Sequence, residues 1–275
     1  MRVHVGVVGH VEWVQFAVVD RVPAAGEIVH AHETFSEPAG GGAVAAVQLA
    51  RLAGSAVFLT ALGNDDVAAG VARALRERFG VEVHAGERDA PQRRTFTFLD
   101  DAGERTITVL GERIVPELSD PLPWDALAEL DGIYLTGGDA GAVRAARAAR
   151  VLVATPRAMG ALAASGVRLD VLVRSATDPG ERYEPGMLDP APRWVVSTRG
   201  RLGGSWTGET SGTWEATELP GPTVDAYGCG DSFAAALAYG LGAGMDLPGA
   251  IELGARCGAA CLCGRGPYGA QLELD

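Results

Sequence analysis

Short apolar runs alternate along this chain with stretches whose apolar residues recur at helical spacing. Residues 2–9 are almost continuously apolar, the pattern of a strand buried on both faces. Residues 14–20 and 26–35 alternate more loosely and predict half-buried or exposed strands around the turn Val22–Gly26. Gly40, Gly41 and Gly42 then open a helix over Ala43–Leu52, followed by a strand at Ala56–Thr60. A second helix follows Gly63-Asn-Asp-Asp66 and runs to about Arg78, where Gly80 is a natural stop, and Val81–His84 reads as a short strand. Arg94–Leu99 and Glu104–Leu110 alternate cleanly on either side of Asp100–Gly103, which predicts a hairpin.

From Gly132 onward the rhythm changes. Strands at 132–136, 151–154, 170–174 and 193–198 are interleaved with helices at about 139–149 and 157–165, which predicts βαβ units and a mostly parallel sheet. A hairpin at 204–216 and two helices at about 229–243 and 248–263 complete the chain. No repeat, low-complexity tract or interdomain linker interrupts it, so residues 1–275 read as a single α/β domain. The segments 12–36 and 93–111 read as an excursion from the sheet, a small β lid.

Composition narrows the possible chemistry. The formal net charge of −12 argues against nucleic acid or an anionic membrane surface as partner. Nucleotide binding is not opposed by it, since that needs only a local positive site. There is no lysine among 275 residues, which removes a Walker A loop, a pyridoxal phosphate Schiff base and any lysine nucleophile. Contacts to phosphate fall to arginine, backbone amides or a metal ion. No apolar run has transmembrane length, and the N-terminal segment reads as a buried strand rather than a signal peptide, so a cytoplasmic location is expected. The cysteines are Cys229, Cys257, Cys261 and Cys263, without a histidine near enough to complete a zinc site, and reduced buried thiols are expected. Cys229 is the exception: a helix N-terminus lowers a thiol pKa, which predicts a reactive thiol.

The most informative stretch is Thr223–Phe233. It reads as a strand end, a glycine turn and the start of an Ala-rich helix. Amides at a helix start lack intrahelical partners and form a seat for an anion. Gly228, Cys229 and Gly230 would supply those amides, and Asp231 would place a carboxylate beside them. Gly-x-Gly-Asp alone is also compatible with a plain turn whose acidic residue favours the helix dipole. The fuller functional reading is that Asp231 takes a proton from a hydroxyl attacking phosphorus.

The extended pattern Asp225-x-x-Gly228-x-Gly230-Asp231-x-Phe233 resembles the C-terminal signature of the ribokinase or PfkB-type carbohydrate kinases, with Ala226 and Cys229 in place of the usual Thr and Ala. Further matches keep the family's order: Pro23–Glu27 for a lid turn, Gly40–Leu52 for the first signature, Leu62–Asp66, Arg94-Thr95 with Gly103–Thr106 in the lid, and Ser197–Gly204 for the nucleotide loop.

The resemblance implies a ribokinase-like three-layer sandwich with a small β lid, and an ATP-dependent kinase acting with Mg2+ on a hydroxyl of a small sugar, polyol or nucleoside-like acceptor. It implies Asp231 as base and the amides of Gly228, Cys229 and Gly230 as anion hole. Thr198, Gly200 and Gly203 would approach ATP, while Arg199 is either a phosphate contact or a solvated arginine. Ser175 and Asp178 stand where the family has Asn-x-x-Glu, a motif tied to magnesium and phosphate. Asp225 either holds the turn or helps bind a monovalent cation such as K+. Gly41, Gly42, Val44 and Arg105 fall in acceptor-site segments, and a homodimer through the lid is a family habit.

Val14 and Val44 replace the aspartate and asparagine that bind sugar hydroxyls in the family. His10 and Glu12 are the nearest polar substitutes, although Glu12 could equally be solvated. Asp139 is either near the site or a helix N-cap. These departures keep a second function in view, a small-molecule-binding or regulatory protein on a retired kinase fold. A Rossmann dehydrogenase is disfavoured, because Gly6-Val-Val-Gly9 lacks the Gly-x-Gly-x-x-Gly fingerprint.

Overall fold

The computed structural model describes residues 2–101 and 103–274. In chain order the elements are β1 (Val5–Val8), β2 (Glu12–Val18), β3 (Glu33–Ala39), α1 (Gly41–Ala53), β4 (Ala56–Leu62), α2 (Asp66–Phe79) and β5 (Val81–Glu87). Next come β6 (Arg94–Leu99), β7 (Arg105–Leu110), β8 (Gly132–Leu135), α3 (Ala140–Ala146), β9 (Val151–Ala154), α4 (Met159–Ser165) and β10 (Val171–Ser175). The chain finishes with β11 (Trp194–Thr198), β12 (Gly204–Gly208), β13 (Gly212–Trp214), α5 (Cys229–Gly242) and α6 (Leu247–Leu262).

Among the described residues nine strands form one sheet in the order β13-β12-β11-β10-β9-β8-β1-β4-β5, parallel from β11 through β5 with an antiparallel β12–β13 edge. Alternation along the strands divides the core between two faces. Tyr134 joins the cluster of α1 and α5, whereas its neighbours Ile133 and Leu135 join the cluster of α3 and α4. The architecture is therefore an α/β sandwich of three layers: the strand–helix rhythm implied the mostly parallel sheet, and the resemblance implied the layers. Helix starts follow the sequence signals: Asp65, Asp139 and Asp246 each cap a helix by accepting a backbone N–H from Ala68, Ala142 and Gly249. Asp139 is thus an N-cap, and its Oδ1 also accepts from Leu118 N at 3.0 Å.

The second sheet has the order β3-β2-β6-β7 and forms the lid-like excursion. On β2 the residues Glu12, Val14 and Phe16 share one face. Val14 is wholly buried, and Phe16 stacks on Phe35 at 4.6 Å and meets Tyr227 edge-on at 5.1 Å. These contacts seat the small sheet on the turn that precedes α5. Arg78 of α2 holds Glu37 of β3 through two hydrogen bonds of 2.8 and 2.9 Å. Strand β7 is exposed along its whole length.

Two segments differ from expectation. The strand expected at 26–35 forms instead at Glu33–Ala39, because only there does the chain pair with β2, from Glu12 opposite Ala39 to Val18 opposite Glu33. Ile28, apolar but 88 % exposed, lies outside any strand. No strand precedes Gly228 either: the carboxylate of Asp225, rather than a neighbouring strand, accepts from the amides of Tyr227 and Gly266 at 2.8 and 2.6 Å. No helix of the described residues is long and apolar enough to cross a membrane.

Candidate active site

A cleft of about 890 Å³ lies between the carboxyl ends of the central parallel strands and the small sheet. Its floor is the start of α5. Gly228 adopts φ 83, a left-handed conformation open to glycine at little cost, and a Cβ there would lie 2.8 Å from Val44 Cγ1. This turn points α5 at the cleft, and no side chain caps it. The first-turn amides are therefore available to an anion. A Cβ on Gly230 would meet nothing within 4 Å, so the backbone is open to an incoming group.

Asp231 lies in that first turn, half-buried. A Cβ on Gly41 would stand 2.7 Å from its Oδ1, so the carboxylate also rests against the start of α1, another helix with no side-chain cap. Gly40 N–H donates to the Tyr227 hydroxyl at 3.2 Å and fixes the two helix starts relative to each other. Tyr134 donates its hydroxyl to Asp231 Oδ1 at 3.3 Å. Burial, with the charge of Glu181 second, raises the Asp231 carboxyl from 3.8 to about 6, against the opposing influence of Arg105, Tyr134 and Arg157. Burial also lifts the Tyr134 phenol well above its ordinary value, so it remains a donor.

One wall carries Ser175, Thr177, Asp178, Glu181, Thr198 and Gly200. Here Glu181 Oε2 accepts from Ser175 N at 2.7 Å, and Arg157 bridges Asp178 and Glu181. The other end carries His10, Glu12, Arg93, Arg113 and Thr136. Arg113 donates to His10 Nδ1 at 2.8 Å, to Thr136 O at 2.6 Å and to Arg157 O at 2.9 Å. Burial, assisted by Arg113, Arg93 and Arg157, drives the His10 pKa well below 6.5, so the ring is neutral. With Nδ1 accepting, its proton is on Nε2. Arg105 reaches from β7 to donate to Ala226 O at 3.2 Å, closing the small sheet over the turn.

Of the residues singled out from sequence, Asp231, Gly228, Cys229, Gly230, Thr198, Gly200, Ser175, Asp178, His10, Glu12, Gly41 and Arg105 line this cleft. Five others do not. Val44 is wholly buried in the second turn of α1 and packs against Gly228. Gly42 lies under His10, where a Cβ would fall 2.5 Å from its carbonyl oxygen. Arg199 is exposed outside the cleft. Gly203 is a packing glycine, its Cβ position only 2.0 Å from Trp214 O. Asp225 is buried with both oxygens on backbone amides, and burial raises its pKa.

The expectation of a reactive Cys229 is overturned. Both thiols are free, and the contact of the Cys229 thiol with that of Cys261, together with burial, pushes its pKa up rather than down. The helix-start field, which would favour a thiolate, is outweighed by the Cys261 contact and by desolvation.

Sequence reasoning missed Tyr134, Arg93, Arg113, Arg157 and Glu181. No motif carries them. The available signal was position: Thr136, Thr155 and Arg157 lie just beyond the carboxyl ends of parallel strands, where ligands of open α/β sheets bind.

The family model described as pfkB family carbohydrate kinase matches residues 4–178 and 182–273. No curated protein sequence matches the chain. Among solved structures, a putative ribokinase from Agrobacterium tumefaciens is 20% identical with a TM-score of 0.81, covering 98% of this chain and 95% of that one. A ribokinase from Arabidopsis thaliana, solved with ribose and ATP, is 19% identical with a TM-score of 0.75, covering 97% and 94%. An adenosine kinase from Sinorhizobium meliloti is 17% identical with a TM-score of 0.75, covering 97% and 96%. At these identities the structural likeness establishes the ribokinase-like fold, and the match along nearly the whole sequence establishes the family. The chain belongs to the pfkB family of carbohydrate kinases, phosphotransferases that use ATP with Mg2+ and an alcohol group as acceptor.

Proposed function

We propose that the protein transfers the terminal phosphoryl group of ATP to a hydroxyl of a small sugar, polyol or nucleoside-like acceptor, with Asp231 as general base. The observation that carries this reading is the position of Asp231: half-buried on the cleft floor, beside the uncapped start of α5, with its pKa raised to about 6. A base of that strength is ionised at neutral pH yet basic enough to accept a proton as the hydroxyl oxygen attacks. The amides of Gly228, Cys229 and Gly230 lie where charge grows on the phosphoryl oxygens and would stabilise it without reorganisation. Tyr134 and the start of α1 hold the carboxylate in place.

ATP would lie along the wall of Ser175, Thr198 and Gly200. Mg2+ typically keeps several waters and takes one or two carboxylates plus substrate phosphates. Glu181 and Asp178 fit that pattern, and among the described residues there is no preformed cage of three or more metal-binding side chains. When bound, the metal neutralises phosphate charge. Arg157, now on both carboxylates, is placed to follow the same phosphates. Asp225 holds the turn. The small sheet would act as the lid, and the exposed edge β7, with Ile107, Val109 and Leu110, would be the surface for a lid-mediated homodimer. The test is ADP release over a panel of sugars, polyols and nucleosides with the parent protein and Asp231→Asn. Retention of the parent rate by Asp231→Asn would end this assignment.

A further inference from the structure

The cleft end around His10 carries more positive charge than neutral hydroxyls require. Arg93 and Arg113 line it, and Glu12 is the carboxylate beside them, with Oε1 3.0 Å from Arg93 Nε. His10 is neutral, and Arg157 is matched by Asp178 and Glu181. At this end alone two guanidiniums face one carboxylate, while the neighbouring Arg157, on two carboxylates, carries the opposite excess toward the other wall. Among the described residues Arg113 has no carboxylate partner: its bonds go to a neutral imidazole and two backbone carbonyls. Arg93 and Arg157 lie close enough to oppose its charge, and Glu12, near it but not bonded to it, offsets them only in part. A half-buried guanidinium facing like charges is costly unless an anion arrives to match it.

The donors left over suit such an anion. Arg113 spends two of its nitrogens on protein acceptors, and its planar fork still carries unused N–H groups. His10 Nε2–H lies 3.6 Å from Glu12 Oε1, too long for a hydrogen bond, and so remains for a ligand acceptor, while Glu12 is engaged by Arg93 and Thr95. The base and the arginines also share one strand end. Tyr134, which touches Asp231, and Thr136, whose carbonyl holds Arg113, are two residues apart at the carboxyl end of β8, so base and guanidinium are anchored on one strand end and both face the same cleft. A small molecule with a hydroxyl at one end and a charged group at the other would meet both groups within the one cleft.

We propose, resting on the kinase reading above, that the acceptor is a small hydroxylated acid, a polyhydroxy carboxylate or a phosphate ester, whose anionic group is held by Arg113 and Arg93 while its far hydroxyl meets Asp231. The test is titration calorimetry on the full chain with ADP and Mg2+, using matched pairs: D-ribonate against ribitol, D-gluconate against glucitol, and ribose 5-phosphate against ribose. The charged member of at least one pair is expected to bind at least tenfold more tightly, with that advantage shrinking as salt is raised. The carboxylate and phosphate pairs identify which anion is meant.

Arg113→Met is expected to abolish the charged member's advantage without weakening ADP, and Arg113→Lys to recover part of it. Circular dichroism checks that both variants fold, and the parent-protein comparison does not depend on them. Equal affinity for charged and neutral members, or millimolar silence from every acid, overturns the inference. If ADP binds and neutral acceptors are phosphorylated, the kinase reading survives that result. If ADP fails to bind and no acceptor is phosphorylated, it is the kinase reading that falls.

Discussion

Gly41 and Asp231 are in such close register that a single added methyl on the glycine would lie 2.7 Å from Oδ1 of the carboxylate. The first residue of α1 thus leaves room for the functional group of α5. Gly41→Ala should separate stability from activity. Alanine suits a helix better than glycine by up to about 1 kcal/mol, so the fold should hold. The displaced carboxylate should lower kcat by tenfold or more, measured by ADP release beside a thermal melt.

Asp231→Asn should cost activity on the order of 10²–10⁴-fold, as expected for loss of a general base. It should also stabilise the protein at neutral pH. The native carboxyl titrates near 6 rather than 3.8, so between these values the native state binds more protons than the unfolded chain. Stability from this group is present below about 4, falls as pH rises to about 6, and stays lost above it. Removing the charge should recover on the order of 1–3 kcal/mol at pH 7 and nothing below pH 4, read from urea titrations at both pH values.

The same carboxyl predicts the acid limb of the rate profile. Activity should fall as pH drops through about 6, where the base becomes protonated. Tyr134→Phe removes the hydrogen bond that lowers this pKa, so the limb should move to higher pH. A purely structural tyrosine would lower the plateau without moving the limb.

Gly228→Ala should be severe. The position is left-handed at φ 83, and the new methyl would lie 2.8 Å from Val44 Cγ1. Backbone strain and overpacking together should cost about 2–4 kcal/mol. Val44→Ala in the same chain should return the packing part and leave the strain, a partition that denaturant unfolding of the single and double variants can measure.

Cys229 should be slow to alkylate. Its thiol faces Cys261, whose Sγ donates in turn to Tyr227 O at 3.4 Å. Iodoacetamide at neutral pH, followed by mass spectrometry, should label the half-buried Cys263 no later than Cys229.

Much of this protein is local, and local features are written in the chain. Periodicity alone located the strands of the main sheet and the ends of most helices, since each depends on neighbours two to four residues away. The turn at Gly228 and the carboxylate at Asp231 were legible for the same reason: backbone freedom, unpaired amides and the acidic residue lie within four positions. What tertiary structure decided was which side chains share the cleft. Arg93, Arg113, Arg157 and Glu181 come from separate connections and carry no common spacing, so only the packing of the small sheet over the strand ends brings them together. The pKa values of Asp231 and Cys229 belong to that same level. Both residues stand in the first turn of one helix, yet one lines the cleft floor beside Tyr134 and the other turns its thiol to Cys261, because burial and partners are set by packing in three dimensions.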